Sequence, residues 1–191
     1  MFDEFKSRAE VVSAEVHRFA TKDEALMFII DILKKEGVSD SPGAYAVWAD
    51  CPFLKGIDLA VLAGKVPGLT FEITRATVAA SRVGISQIDW ALAGTGALVQ
   101  NSTSVEQRLV STLPLIHIAL IATDRILSDL EALLTKVSHK GISFDRAYDF
   151  DRLITVFVDE LGVDTVSSRL GDILKQQGDG RRYKWSRRAS V

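Results

Sequence analysis

The sequence has few of the residues that mark disulfide-bonded, metal-bound or membrane-spanning proteins. Cys51 is the only cysteine among 191 residues, so no internal disulfide can form. One thiolate also cannot hold an iron–sulfur cluster or a four-cysteine zinc site. No apolar run reaches the roughly 18–20 residues of a membrane-spanning helix, and the polar start of the chain does not fit a signal peptide. We therefore expect a cytoplasmic protein that binds no membrane, metal or cofactor.

The sequence also lacks a strong net charge. It has 23 Lys and Arg residues against 25 Asp and Glu residues, for a net charge of −2, so no overall field attracts nucleic acid or anionic lipid. The exception is the basic stretch 181–188, which could contact phosphates or stack on bases. A frayed, solvated tail explains the same residues. We predict a single α/β domain over 1–178 and a flexible basic tail over 179–191, without a nucleic-acid partner.

Short apolar segments of strand length alternate along the chain with amphipathic helical segments. The segments 14–19, 44–49 and 116–121 have the pattern of strands. Thr21 begins a capping box that predicts the start of a helix, and Gly37 is suited to end that helix. This alternation favours an α/β fold with a mainly parallel sheet flanked by helices on both faces.

Three further helices are expected in the second half of the chain. One is opened by Ser86 and closed by Gly94, one is capped by Asp124, and one covers 150–161. In parallel sheets, ligands usually bind beyond the carboxyl ends of the strands. That rule points to the loops near residues 50–56, 84–96, 100–108 and 122–124.

Glycines and small polar residues are concentrated between Gly84 and Gly96. Gly94-Thr95-Gly96, just before a strand, can bring backbone N–H groups close to an anion. A helix end followed by a tight turn explains the same glycines. The segment is not G-x-G-x-x-G and precedes a strand, so we do not predict a dinucleotide site here.

Other candidate residues follow this segment. The polar run 100–104 leads to Arg108, which could clamp a carboxylate or phosphate with two hydrogen bonds; a solvated loop explains it equally well. His117 lies within an apolar run, where a histidine is more often a hydrogen-bonded core residue than a catalyst. Cys51 could be a nucleophile, although an inert thiol fits its surroundings better.

Residues 84–121 resemble the signature of the LUD (lactate-utilization protein C) family. Gly84-Ile85-Ser86, Asp89 to Val99 and Arg108 to Ile121 follow G-I-T-x-A-D-x-A-I-A-[DE]-T-G-T-[IV]-x-L and R-L-x-S-L-L-P-x-x-H-I-x-[VI]-[VI]. The sequence departs from the signature at Gly94, where the family has an acidic residue. It also lacks the family's late G-V-H-G-P, and two stretches compete for the preceding G-P-S-R-T segment, 145–151 with Arg146 and 168–173 with Arg169.

The resemblance implies a fold of the NagB/RpiA/CoA-transferase-like superfamily. It also implies an accessory role beside two iron–sulfur subunits in the oxidation of L-lactate to pyruvate. The alternative is a stand-alone enzyme or binder of a small anionic metabolite, such as a hydroxy acid, sugar phosphate or CoA ester; whether the chain is catalytic or forms a homo-oligomer is left open. The predicted anion- or ligand-binding residues are Gly84, Ser86, Asp89, Thr95, Gly96, Ser102, Arg108, His117, Arg146 and Arg169.

Overall fold

The computed structural model describes residues 1–101, 104–136, 142–145, 152–159 and 161. Its helices are α1 Phe2–Val11, α2 Lys22–Lys35, α3 Leu59–Lys65, α4 Arg75–Ala79, α5 Val105–Thr112 and α6 Leu130–Leu134. Its strands are β1 Glu15–Phe19, β2 Tyr45–Trp48, β3 Leu69–Thr70, β4 Ser81–Gln87, β5 Trp90–Leu92, β6 Ala97–Asn101, β7 Ile116–Ala122, β8 Ile126–Leu127, β9 Ile142–Asp145 and β10 Arg152–Val158. Short 3-10 helices lie at Pro52–Leu54 and Thr123–Arg125. In this part of the chain, no helix combines the length and apolar character that crossing a bilayer requires.

A six-stranded sheet forms the centre of the fold, with the strand order β1-β10-β7-β4-β2-β3. All neighbouring strands in it run parallel. A second sheet, with the order β8-β5-β6-β9, packs on one face of the first. The predicted α/β class with a mainly parallel sheet is therefore confirmed, while the second sheet was not foreseen.

The two faces of the main sheet are covered by different elements. On the first face, Leu26 and Ile29 of α2 and Leu62 of α3 belong to one apolar cluster with Ile85 and Ile118 of the sheet. On the second face, α1 and the second sheet share a cluster with β7 and β10, and α4 and α5 cover β2. Because side chains alternate along a strand, these central strands are apolar on both faces.

The capping box predicted at Thr21 is present and begins α2. The Oγ1 atom of Thr21 accepts from the Glu24 N–H at 3.3 Å, and the Glu24 carboxylate accepts from the Thr21 N–H at 3.3 Å. Gly37 follows the helix with a φ of +73°, which glycine adopts without strain. Local signals alone therefore fix both ends of this helix.

Two of the three helices expected in the second half of the chain are wrong, and the third begins later than expected. Residues 152–158 form the central strand β10 instead of a helix. The helix expected from Ser86 to Gly94 is absent, because Ser86 lies within β4 and the next strand, β5, begins at Trp90. Asp124 lies in a 3-10 turn that leads into β8, and the helix cap belongs to Asp129, which accepts from the Ala132 N–H at 2.9 Å.

A cluster of charges joins β1, β4, β10 and the end of α2 at the amino ends of the strands. Arg152 donates to the carboxylates of Glu15 on β1 and of Glu36 at the end of α2. Arg82 of β4 adds a longer contact to Glu36 at 3.6 Å. The hydrogen bond from Arg152 lowers the pKa of Glu15. These charges pair with one another, and they lie at the edge opposite to the one where ligands bind in such sheets.

Candidate functional site

Four buried polar side chains meet between the main sheet and α5. Ser86 of β4, His117 of β7, Gln100 of β6 and Ser111 of α5 are each at most 2% exposed. The Ser86 Oγ lies 2.9 Å from the His117 Nε2, and the Gln100 Nε2 lies 3.4 Å from the Ser86 Oγ. The Ser111 Oγ donates to the Gln100 Oε1 at 3.1 Å. We call these four residues the Ser86 cluster.

One part of the hydrogen-bond chain has a fixed direction. Gln100 turns its oxygen to Ser111, so its amide nitrogen donates to Ser86. One hydrogen bond joins the Ser86 Oγ to the His117 Nε2, and its donor depends on which ring nitrogen of His117 carries the proton. Burial lowers the pKa of His117 to about 3, so the ring is neutral at pH 7. The cluster therefore pairs a neutral imidazole with a serine hydroxyl.

Removing the Ser86 hydroxyl tests the cluster. We expect Ser86→Ala to lower the free energy of unfolding by about 1–3 kcal/mol, because it leaves a buried donor on Gln100 and a buried ring nitrogen on His117 without Ser86 as partner. Urea unfolding measures this effect. The matched control is Ser104→Ala, which removes the Oγ that accepts from the Gln107 N–H at the partly exposed start of α5 and should cost about 1 kcal/mol or less. An equal cost at both serines would contradict the role given to the cluster.

Gly84, Asp89 and Arg108 surround the Ser86 cluster without belonging to it. Gly84 pairs with His117 across the strands and lies directly beneath α5. Asp89 is exposed in the turn between β4 and β5. Arg108 is exposed on α5 and makes no ion pair within the part of the chain that the structure describes. Their roles in ligand binding stay predictions.

Thr95 and Gly96 are not brought to the cluster. They lie in the turn before β6, and Gln100 is three residues further along this strand from its start at Ala97, about 10 Å away. Gly96 has a φ of +69°, and a Cβ there would lie 2.6 Å from the Ala9 backbone nitrogen, so this turn is where α1 packs. Three other predicted site residues lie outside the described residues, namely Ser102, Arg146 and Arg169.

Sequence reasoning missed two members of the cluster, Gln100 and Ser111. Gln100 was read as the first residue of a polar loop, yet it is the fourth residue of β6 and fully buried. Ser111 sits beside Val110 on the buried face of α5, so a helical plot of 105–112 could have indicated it. Gln107 extends the network towards the surface, since its Oε1 accepts from Gln100 at 3.3 Å.

Thiol and metal chemistry find little support in the described residues. Cys51 is buried, and burial raises the pKa of its thiol to about 11, so the thiol is protonated at neutral pH. This agrees with the inert thiol expected from the sequence. Within the described ranges, no group of three or more His, Cys, Asp or Glu side chains is placed to hold a metal ion.

Comparison with known proteins gives one family and one solved structure. The family model of the LUD domain matches residues 2–178. A crystal structure of a DUF162 family protein from Deinococcus radiodurans superposes with a TM-score of 0.56 at 16% identity, covering 82% of this chain and 94% of that one. This likeness shows that the two chains share a fold and says nothing of activity. No curated protein matches significantly. Because the family match spans nearly the whole chain, the protein belongs to the LUD domain family, which is associated with lactate utilization.

Proposed function

We propose that the chain takes part in the oxidation of L-lactate to pyruvate as a LUD-domain component that acts beside iron–sulfur subunits. The observation that carries this proposal is the family match over residues 2–178. The fold supports it. In a parallel sheet, two neighbouring strands whose following connections run to opposite faces leave a place where a small metabolite can bind.

The chemistry of the reaction suggests how the work is divided. Oxidation of L-lactate breaks the Cα–H and O–H bonds and releases two electrons and two protons. Cluster binding by thiolates usually takes four cysteines, whereas this sequence has Cys51 alone, so the residues present do not fit a cluster. Clusters on partner subunits would have to accept the electrons, and this chain would contribute binding and orientation.

Three exposed apolar side chains lie at the start of α5 and just after its end, since Val105, Leu113 and Leu115 are 53%, 49% and 52% exposed. We propose that they form part of a surface for a protein partner. Affinity purification of the tagged chain from cells grown on L-lactate should therefore recover cysteine-rich iron–sulfur polypeptides. A chain that oxidises lactate with a dye acceptor in their absence would instead support the stand-alone enzyme.

Growth on lactate tests the proposal in the cell. The test is to delete the gene in a strain whose other lactate dehydrogenases have been removed. Growth on L-lactate should be lost while growth on pyruvate is kept, and the wild-type gene should restore it. Growth on L-lactate at the parental rate in the deletion strain would refute the proposed function.

A further inference from the structure

The carboxyl ends of β2 and β4 are neighbours in the main sheet, and we call the space between them, which side chains fill, the crevice. After β2 the chain turns to the first face of the sheet, where α3 packs, and after β4 it turns to the second sheet on the opposite face. Neighbouring strands whose connections leave in opposite directions form the place where sheets of this kind bind ligands. All residues at this place are among those described.

Phe53 fills this crevice. It belongs to the 3-10 helix Pro52–Leu54, which we call the plug, and its side chain is fully buried. Its ring stacks on Trp48 with centroids 5.7 Å apart. The Oε1 atom of Gln87, the last residue of β4, accepts from the Phe53 N–H at 2.9 Å. The Lys22 Nζ lies 5.4 Å from the centre of the same ring.

The polar groups around Phe53 have poorly matched partners. Lys22 is partly buried, its Nζ donates to the Lys55 carbonyl at 2.7 Å, and no carboxylate of the described residues forms an ion pair with it. The indole N–H of Trp48 is fully buried and reaches no oxygen or nitrogen acceptor in the described part of the chain. Only the sulfur of Cys51, a weak acceptor, is beside it.

The plug is held mainly by the burial of Phe53 and Leu54 in the core. The 3-10 helix has no side-chain cap, and the hydrogen bonds from Phe53 to Gln87 and from Lys22 to Lys55 fasten it. Gly56 follows with a φ of +79°, where glycine tolerates rotation of the backbone. Movement of Phe53 would free an ammonium, an indole N–H and an amide at one spot.

We propose that the plug moves out and that the crevice then binds a small 2-hydroxy or 2-oxo acid. Lys22 and Trp48 only donate hydrogen bonds, so the ligand must bring acceptors to both. A carboxylate on Lys22 with a second oxygen on the next carbon, within reach of Trp48 and Gln87, meets that need. The choice of three-carbon acids among such ligands rests on the function proposed above.

Trp48 can report binding directly. In a Trp90→Phe, Trp185→Phe background, Trp48 is the only tryptophan of the chain. Titration with pyruvate or L-lactate should change its emission and saturate, and propanoate, which lacks the second oxygen, should bind at least tenfold more weakly. Lys22→Met should weaken binding at least tenfold. The same change at Lys35, at the other end of α2, should leave binding unchanged.

A variant that lacks the Phe53 ring gives a second, independent test of the binding site. Phe53→Ala should bind pyruvate at least tenfold more tightly, because the plug no longer competes with the ligand. If this variant does not fold, the comparison of Lys22→Met with Lys35→Met decides. Absence of a saturable change with all the acids, or equal binding by Lys22→Met and Lys35→Met, would overturn the site. If the crevice does not bind the acids but the deletion strain fails to grow on L-lactate, the proposed function stands and the binding site is wrong. If the crevice binds the acids but the deletion strain grows normally on L-lactate, the binding site stands and the proposed function is wrong.

Discussion

Replacing Gly84 by alanine should lower the free energy of unfolding by about 3 kcal/mol. A Cβ at this position would lie 2.2 Å from the Val110 carbonyl oxygen and 2.8 Å from the Pro114 Cγ. The first contact is with backbone, which cannot rotate away as a long side chain does. The end of α5 must therefore lift from β4, which also pulls Ser111 from Gln100 and opens the cluster that both residues share.

Urea unfolding at neutral pH measures this cost, and Gly64→Ala is its matched control. Gly64 lies in α3 with no heavy atom within 4 Å of the added Cβ. Alanine there should stabilise the protein by about 0.5–1 kcal/mol, since it restricts the unfolded chain and favours helix. Unfolding midpoints that shift in the same direction for both variants would show that α5 does not press on Gly84.

The pH dependence of stability should carry the signature of a buried neutral histidine at position 117. Its pKa is lowered from 6.5 to about 3 in the folded protein by burial, while the unfolded chain takes up a proton near pH 6.5. Between these values the unfolded state binds one more proton than the folded state, so acidification favours unfolding. Stability from this group is full above pH 6.5 and declines as the pH falls towards 3. From pH 7.5 to 5.5 the loss should be about 1.4 kcal/mol.

The variant His117→Gln separates this contribution from the other titrating groups. Its side-chain carbonyl can still accept from Ser86, but it does not titrate, so the loss between pH 7.5 and 5.5 should shrink by about 1.4 kcal/mol. His17→Gln is the control. The pKa of His17 is also lowered, mainly by desolvation, but this histidine is only partly buried. A pH profile that is unaltered in His117→Gln would show that position 117 is protonated alike in both states.

The sequence predicts the parts of the fold that are coded by neighbouring residues. Three signals that each lie within a short stretch of sequence are confirmed, namely the capping box at Thr21, the glycine at 37 and the apolar run of β7. The failure at β10 has a physical reason. A strand buried on both faces is apolar throughout, so Leu153, Ile154 and Phe157 fit a helical stripe as well as a strand.

The candidate site shows the same limit more sharply. Ser86 and His117 were both selected from the sequence, yet their hydrogen bond depends on the register in which Ser86 of β4 lies opposite Ala119 of β7. Gln100 reaches them only because the unforeseen second sheet folds back onto β4. Thr95 is close to these residues in sequence, but it lies in a hairpin turn whose Gly96 packs against α1. The rule for parallel sheets indicated the loop at 50–56, whereas the burial of Phe53 within it has no local sequence signal.

The place of β1 in the main sheet has a consequence for how the protein forms during synthesis. Among the described strands, this first strand pairs with β10 alone, and the ion pair of Arg18 with Asp159 joins residues 141 positions apart. Contacts of such long sequence separation slow folding. On the ribosome, residues 15–19 must therefore wait until β10 has emerged, which at about 5–20 residues per second takes roughly 7–30 seconds. Over that time β1 lacks its partner strand and exposes backbone hydrogen-bonding groups.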